Sequence, residues 1–332
     1  MRYVPSRRDW SLPARAATPE SAALGRREFL RCLGLAGAGI AATGAVARAV
    51  GAAQAAGALA SAAVSDTEAG RYRRDPRFAL DRPLTDELRA GSSNNFYEFT
   101  EHKQRVSDEA VAFATHPWRL RIDGLVRRPS EIDRDDLERR MPRAERLYRH
   151  RCVEGWSMAV PWRGFPLASL IRWASPLSSA RYLRVVSFHR PAQAPNQARA
   201  TWYPWPYVEA LRLDEAMNEL AFVATGIYGH ELPRSQGAPI RLVLPWKYGL
   251  KSAKSIVRFQ FTAERPRTFW SSLAPDEYGF LSNVNPSVPH PRWSQATERP
   301  IGTGETRPTL PYNGYGPCVA RLYDRASETF RS

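Results

Sequence analysis

Beyond residue 90 the apolar residues of this chain come in short runs, most of them alternating or unbroken. A chain so patterned builds its core chiefly from strands, because a period of two or a short buried run suits a sheet and not a long helix. Residues 118–122 alternate apolar and polar and predict a strand with one buried face. Residues 181–188 predict another, and the apolar runs 220–227 and 240–244 predict buried strands. Residues 255–261 are the last clear strand, with Val257, Phe259 and Phe261 expected on one face. Two short helices interrupt the series. Residues 133–140 have an acidic start and are stopped by Pro142. Residues 166–171 place Pro166 in the first turn and Leu167, Leu170 and Ile171 on one side. From Pro275 the chain is Pro-rich and irregular and is expected to wrap the surface. Strands with short helices and no internal repeat give an α+β domain. Composition agrees: 10 Trp, 13 Tyr and 13 Phe exclude disorder, and 3 Cys exclude a disulfide-stapled mini-fold.

The first 55 residues read as an address. Arg26-Arg27-Glu28-Phe29-Leu30 is a paired arginine before two hydrophobes, and residues 33–47 carry no charge and are mostly Ala and Gly. Small-x-small sites such as Ala53-Gln54-Ala55 follow, completing the order of an export signal. The uncharged run is shorter and poorer in Leu than a membrane span. The arginine pair points to the twin-arginine (Tat) machinery, which carries folded proteins, so a cofactor can be inserted before export. Gly37-Ala38-Gly39-Ile40-Ala41-Ala42 fits a dinucleotide pattern, but no strand–turn–helix surrounds it. Residues 56–89 are expected to form an extended arm.

The charge balance, Lys+Arg 48 against Asp+Glu 33 for a net +15, suits an anionic cofactor or a membrane surface. Nucleic acid is a poor partner for an exported chain. His102, His116, His150, His189, His230 and His290 stand far apart, which argues against a zinc hydrolase. Gly155-Trp156-Ser157-Met158-Ala159 approximates a nucleophile elbow without its second glycine, with Asp276 and His290 able to complete a triad. Cys152 and Cys318 remain after signal removal. They form either a disulfide, as in an exported binding protein without catalysis, or a thiolate at Cys152 activated by Arg149 and Arg151, with Cys318 inert. A thiolate would select a soft metal. Arg241, Lys247, Lys251 and Lys254 in and after the 240–244 strand offer a phosphate site, or else a solvated basic face.

Several motifs taken together are more specific. Arg151-Cys152-Val153-Glu154-Gly155-Trp156-Ser157-Met158, running on to Pro161-Trp162 and Gly164-Phe165-Pro166-Leu167, resembles the molybdenum-cysteine segment of sulfite-oxidase-fold enzymes. Asn94-Asn95-Phe96-Tyr97-Glu98-Phe99, Gly237-Ala238-Pro239-Ile240-Arg241 and Pro245-Trp246-Lys247-Tyr248-Gly249 resemble the cofactor loops of one branch, the catalytic subunits of periplasmic methionine-sulfoxide reductases. So do Pro275-Asp276-Glu277-Tyr278-Gly279-Phe280, Asn283-Val284-Asn285-Pro286 and residues 290–299. The resemblance runs from about Leu84 to about Leu322 and implies a sulfite-oxidase-type molybdopterin-binding domain over residues 90–332.

That resemblance implies one Mo-molybdopterin per chain. Cys152 would ligate the metal, with Asn95 and Glu154 beside it. Asn94, Tyr97, Glu98, Ser187, Gln236, Arg241, Ser252, Ala253 and Lys254 would hold the pterin and its phosphate. Ser187, Gln236 and Ser252 depart from the residues common in the family. Glu154 lies two residues after Cys152, so an extended segment would face both one way, and a carboxyl raised by burial would relay protons. The implied reaction is oxygen-atom transfer from methionine sulfoxide in oxidised periplasmic proteins, with electrons from a membrane-embedded haem b subunit. Sulfite oxidation is the neighbouring alternative.

Overall fold

The computed structural model describes residues 72–92 and 94–323. The arginine pair, the uncharged run, the dinucleotide-like pattern, Cys32 and the first part of the expected arm lie outside the described residues. In chain order the strands are β1 (Arg73–Arg74), β2 (Arg119–Gly124), β3 (Ser130–Asp133), β4 (Ala144–Arg151), β5 (Trp156–Pro166), β6 (Tyr182–Ser187) and β7 (Val208–Arg212). They continue with β8 (Phe222–Ile227), β9 (His230–Glu231), β10 (Arg241–Val243), β11 (Ile256–Thr262), β12 (Thr297–Pro300) and β13 (Arg307–Pro308). Every described helix is short, so the architecture is α+β.

One sheet has eight strands and is organised on the β4–β5 hairpin, in register from Ala144↔Gly164 to Arg151↔Ser157. β8 pairs with the far end of β5 and β12 with its near end. The other sheet has five strands in the order β3-β2-β11-β6-β7. β5 is almost continuously buried, as expected of a strand covered on both faces. β4 had no apolar signal because it buries charge. Arg146, 4% exposed, lies over the Phe78 ring at 4.2 Å and the Phe222 ring at 4.9 Å, and donates to the Glu219 carbonyl at 2.6 Å. Burial of such a cation is tolerated because its Nη1 donates to Tyr148 and Glu219 and its face lies on two rings, although Nε is left without a partner.

The helix Arg134–Arg140 starts where expected, capped by Asp133, whose side chain accepts from the Asp135 N–H at 2.9 Å. The helix Leu167–Ala174 uses Pro166 as its N-cap residue instead of in its first turn, and runs past Ile171 until Ser175 turns left-handed. Val257 leaves the buried face because β11 is irregular between Ile256 and Arg258. The described end of the arm is not free of structure. β1 pairs in parallel with β4, Thr85 N–H donates to the Ala159 carbonyl, and Glu87–Ser92 is a helix. The stretch after Pro275 is mostly irregular, as its prolines predict, but holds the short β12 and β13 and ends in short helical turns over Pro311–Gly314, Gly316–Val319 and Ala320–Leu322.

Packing fixes the segment that matters most. Phe96, Phe99, Phe113 and Phe188 form a cluster with ring centroids 4.4–6.2 Å apart, joined to Trp118 through Phe113. All five are at most 2% exposed, and each buried ring contributes about 1.5–3 kcal/mol. The cluster pins residues 94–99 against the five-stranded sheet.

Candidate active site

Cys152 sits in the turn of the β4–β5 hairpin. Its N–H donates to the Trp156 carbonyl at 2.9 Å, and the Gly155 N–H donates to the Cys152 carbonyl at 3.0 Å. Gly155 has φ +87, a conformation that a side chain disfavours. The segment is therefore a tight turn and not extended, which corrects the expected reason for Cys152 and Glu154 lying together.

The turn opens into a cleft of about 660 Å³. Asn94, Asn95, Tyr97, Glu98, Cys152, Glu154, Ser252, Ala253 and Lys254 line it, bringing together nine of the twelve residues singled out from the sequence. Ser187, Gln236 and Arg241 are buried outside this lining. The Arg241 guanidinium donates to the Gln236 carbonyl at 2.8 Å and lies over the Trp162 ring at 4.8 Å. Ser187 N–H donates to the carbonyl of Tyr207, a lining residue.

The thiol is only 5% exposed. Burial, with the Glu154 charge second, pushes its pKa up to about 12. The sequence expectation of a thiolate activated by its arginines is overturned. Arg151 does lower the thiol's pKa, but burial and the Glu154 charge outweigh it, and the arginines' main partners lie elsewhere. Arg149 goes to Asp81 at 2.8 Å, and Arg151 donates to Gln295 at 2.9 Å and Thr309 at 3.2 Å. A metal would itself have to displace the thiol proton. Asn95 Nδ2 donates to Sγ at 3.4 Å, and the Asn95 carbonyl accepts from Lys254 Nζ at 2.7 Å.

Glu154 is a second correction. Burial alone would raise its carboxyl, but Lys103, Asn95 and Trp156 outweigh it and hold the pKa below the ordinary value. Lys103 Nζ is its ion-pair partner, and Trp156 Nε1 donates to it at 3.2 Å. It is an ionised carboxylate at neutral pH, not the raised acid that the expected proton relay required.

The basic loop divides in two. Lys247 Nζ, fully buried, reaches Glu215 at 2.6 Å, the Leu281 carbonyl at 2.8 Å and Asn283 at 2.8 Å. Lys251 Nζ reaches Glu209 at 2.6 Å and the carbonyls of Ala210 and Phe280. These two lysines are internally satisfied and brace the loop. Arg241 and Lys254 have no carboxylate within ion-pair distance among the described residues. Burial pushes Arg241 down to about 9, and burial with Arg241 beside it pushes Lys254 down to about 7. Ser187 Oγ and Gln236 Oε1 are buried without a hydrogen-bond partner. Unpaired cations and orphaned polar atoms beside one cleft are the environment a bound anionic group completes.

No cluster of three or more His, Cys, Asp or Glu side chains is placed to hold a metal ion among the described residues. A metal at Cys152 would bring most of its own ligands, as a pterin dithiolene does. Ser252 fits without strain at φ −90, and its Oγ accepts from the Leu244 N–H at 3.3 Å. Residues 94–98, 187, 236, 241 and 252–254 thus fit a phosphate-bearing pterin, with Cys152 as metal ligand.

Sequence reasoning missed His150, Trp156, Tyr207, Trp270 and Tyr278, which also line the cleft. His150 had a usable signal: it lies two residues before Cys152 on a strand, hence on the same face. Burial, with Arg241 and Lys254 adding, pushes it down to about 3, so the imidazole is neutral. Gly249 lies against it, where a Cβ would stand 2.6 Å from Nε2.

The other readings have no geometry. Ser157 is a buried β5 residue, Asp276 is exposed, and His290 accepts from the Arg292 N–H while stacking on Trp293 at 3.9 Å. Cys152 and Cys318 are both free thiols, one buried and one exposed.

The empty cradle has a pH signature. Burial raises Glu98 to about 7, so stability present below pH 4.5 is lost as pH rises to 7. Lys254, lowered to about 7, contributes stability above its ordinary 10.5 that is lost as pH falls to 7. Below pH 7 the gain from Glu98 is opposed by His150, lowered to about 3, whose contribution is lost as pH falls from 6.5, so the clear signature is alkaline: protein made without cofactor is expected to melt higher at pH 9 than at pH 7. A melting temperature that stays flat or falls over that range refutes the Lys254 assignment.

Residues 108–270 match the family model described as oxidoreductase molybdopterin binding domain. The chain is 45% identical over 318 residues to the protein-methionine-sulfoxide reductase catalytic subunit MsrP of Burkholderia mallei, covering 94% of this chain and 93% of that one. Among solved structures it is similar to the sulfane dehydrogenase SoxCD from Paracoccus pantotrophus. The identity is 17% and the TM-score 0.39, over 59% of this chain and 52% of that one.

Proposed function

The chain belongs to the family of protein-methionine-sulfoxide reductase catalytic subunits, and from that premise we propose that it reduces methionine sulfoxide in oxidised proteins with a molybdopterin cofactor held at Cys152. The observation that carries the reading is the pairing of a lone cleft-facing thiol with two cations, Arg241 and Lys254, that lack a carboxylate partner.

Bound there, the cofactor supplies a two-electron centre that accepts the sulfoxide oxygen. The chain supplies position and charge. Arg241 and Lys254 would neutralise the phosphate and the Ser187 hydroxyl would donate to it, while the unpartnered Gln236 Oε1, an acceptor, would take a pterin N–H. Asn95 holds the Cys152 sulfur by its amide and Lys254 by its carbonyl, so one residue couples metal ligand and phosphate site. Glu154, ionised and anchored by Lys103, is suited to orient water as a hydrogen-bond acceptor. Neutral His150 lines the same cleft without adding charge.

The mouth favours a neutral sulfoxide over sulfite. Its cations are engaged, Lys103 by Glu154 and Arg292 by Glu277 at 2.7 Å, and its walls are aromatic. The twin-arginine motif supports export by the Tat machinery to the periplasm, and a membrane-embedded haem b subunit is the electron donor that fits this setting. The test is purification from a host that loads molybdopterin enzymes. About one molybdenum per chain and dye-coupled reduction of a methionine-oxidised protein are expected. A metal-free product from that host, or turnover of sulfite alone, refutes the reading.

A further inference from the structure

Tyr97 stands at the threshold of the site. It lines the inner cleft with Cys152 and the outer vestibule with Glu101, Tyr203 and Arg292. Its carbonyl is tied down by Asn196 Nδ2 at 2.7 Å, and its ring meets Trp270 edge-on at 5.0 Å and 79°. Trp270 in turn packs on Tyr278 at 5.0 Å. The ring is therefore held, yet its hydroxyl makes no hydrogen bond to the described residues.

The phenols around it differ. Tyr207 donates to the Leu250 carbonyl at 2.6 Å and Tyr203 to Glu101 at 2.7 Å, while Tyr278 is hydrogen-bonded by Arg292. Glu154 already accepts from Lys103 and Trp156. Burial, then the negative charge of Glu154, keep the Tyr97 phenol far above its usual pKa, so it stays a donor. A held neutral donor lining both the cleft of Cys152 and its vestibule, without a protein acceptor, awaits an acceptor on the ligand.

We propose that Tyr97 determines specificity by donating its hydroxyl hydrogen to the sulfoxide oxygen of the substrate, while Trp270 and Tyr278 take the methylthio end. This rests on the reductase reading above and assigns the Tyr97 phenol to the substrate, leaving the pterin to the other residues of the cradle. A sulfoxide oxygen is a strong acceptor, whereas thioether sulfur is a weak one. Sulfur packs well against aromatic rings in either state. The hydroxyl therefore favours substrate over product, and the rings hold both.

The experiment uses oxidised holoenzyme, which binds without turning over. N-acetylmethionine sulfoxide amide and N-acetylmethionine amide are titrated calorimetrically into wild type and Tyr97→Phe. Wild type is expected to prefer the sulfoxide by roughly 3–10-fold, the range of one neutral hydrogen bond. Tyr97→Phe, which removes one oxygen atom, is expected to bring that ratio close to one. Its molybdenum content should stay at the wild-type level. A ratio kept in the variant, or absent in wild type, overturns the proposal. Loss of molybdenum from Tyr97→Phe also overturns it, because the phenol then serves the cofactor. Failure of the reductase reading is distinguishable: wild type itself would then lack molybdenum and sulfoxide turnover.

Discussion

Cys152→Ser is expected to lower turnover of protein-bound methionine sulfoxide by more than about 100-fold, since loss of a residue that merely orients a metal ligand costs 10–100-fold. A hydroxyl is harder and far less acidic than a thiol, so it replaces a soft anionic ligand poorly. The fold should hardly notice. The sulfur takes part in one long hydrogen bond, from Asn95 at 3.4 Å, and the turn is closed by main-chain bonds that serine keeps. The unfolding free energy should stay within about 1 kcal/mol of wild type. Dye-coupled turnover and a thermal melt on the same preparation separate the two effects. Turnover within a few-fold of wild type would remove Cys152 from the metal.

Lys247→Met is expected to do the reverse, costing stability first. Lys247 and Glu215 are at most 1% exposed, 2.6 Å apart, and tied further by Asn283 and by Tyr323, which donates to Glu215 at 2.6 Å. Removing the ammonium leaves a buried carboxylate without its counterion, and breaking such a pair costs about 3–5 kcal/mol. In wild type the lysine, aided by Tyr323, outweighs burial and keeps Glu215 below its usual pKa. Without it burial prevails and the folded-state pKa rises above the unfolded value. Stability of the variant should then fall as pH rises through that raised value. Lys247→Met/Glu215→Leu should recover most of the loss, because a well-packed apolar replacement of the whole pair is often neutral. Denaturant melts at pH 5 and pH 8 decide it. A single variant as stable as wild type at pH 8 would show that the pair does not brace the 246–254 loop.

Much of the strand order was legible because β2, β6, β8, β10 and β11 carry alternation or unbroken apolar runs. β4 was not, because its buried positions include Glu145, Arg146 and Arg151, whose partners come from distant parts of the chain. Arg151 shows the same limit at the site. Its neighbour in sequence is the cleft thiol, yet its guanidinium serves the Cys152 carbonyl and the distant Gln295 and Thr309 instead of the sulfur. Lys247 and Lys254 look equivalent in the loop, and only Lys254 faces the cleft without a carboxylate.

By itself the sequence determined the strands that its apolar periodicity carries, and its motifs, through the family resemblance, named the residues proposed for the cradle, nine of which line one cleft. Tertiary structure decided which charges remain free. Ionisation depends on burial and on counter-charges brought from far along the chain, so Glu154 became an anion, the Cys152 thiol stayed protonated, and Lys247 and Lys251 became braces.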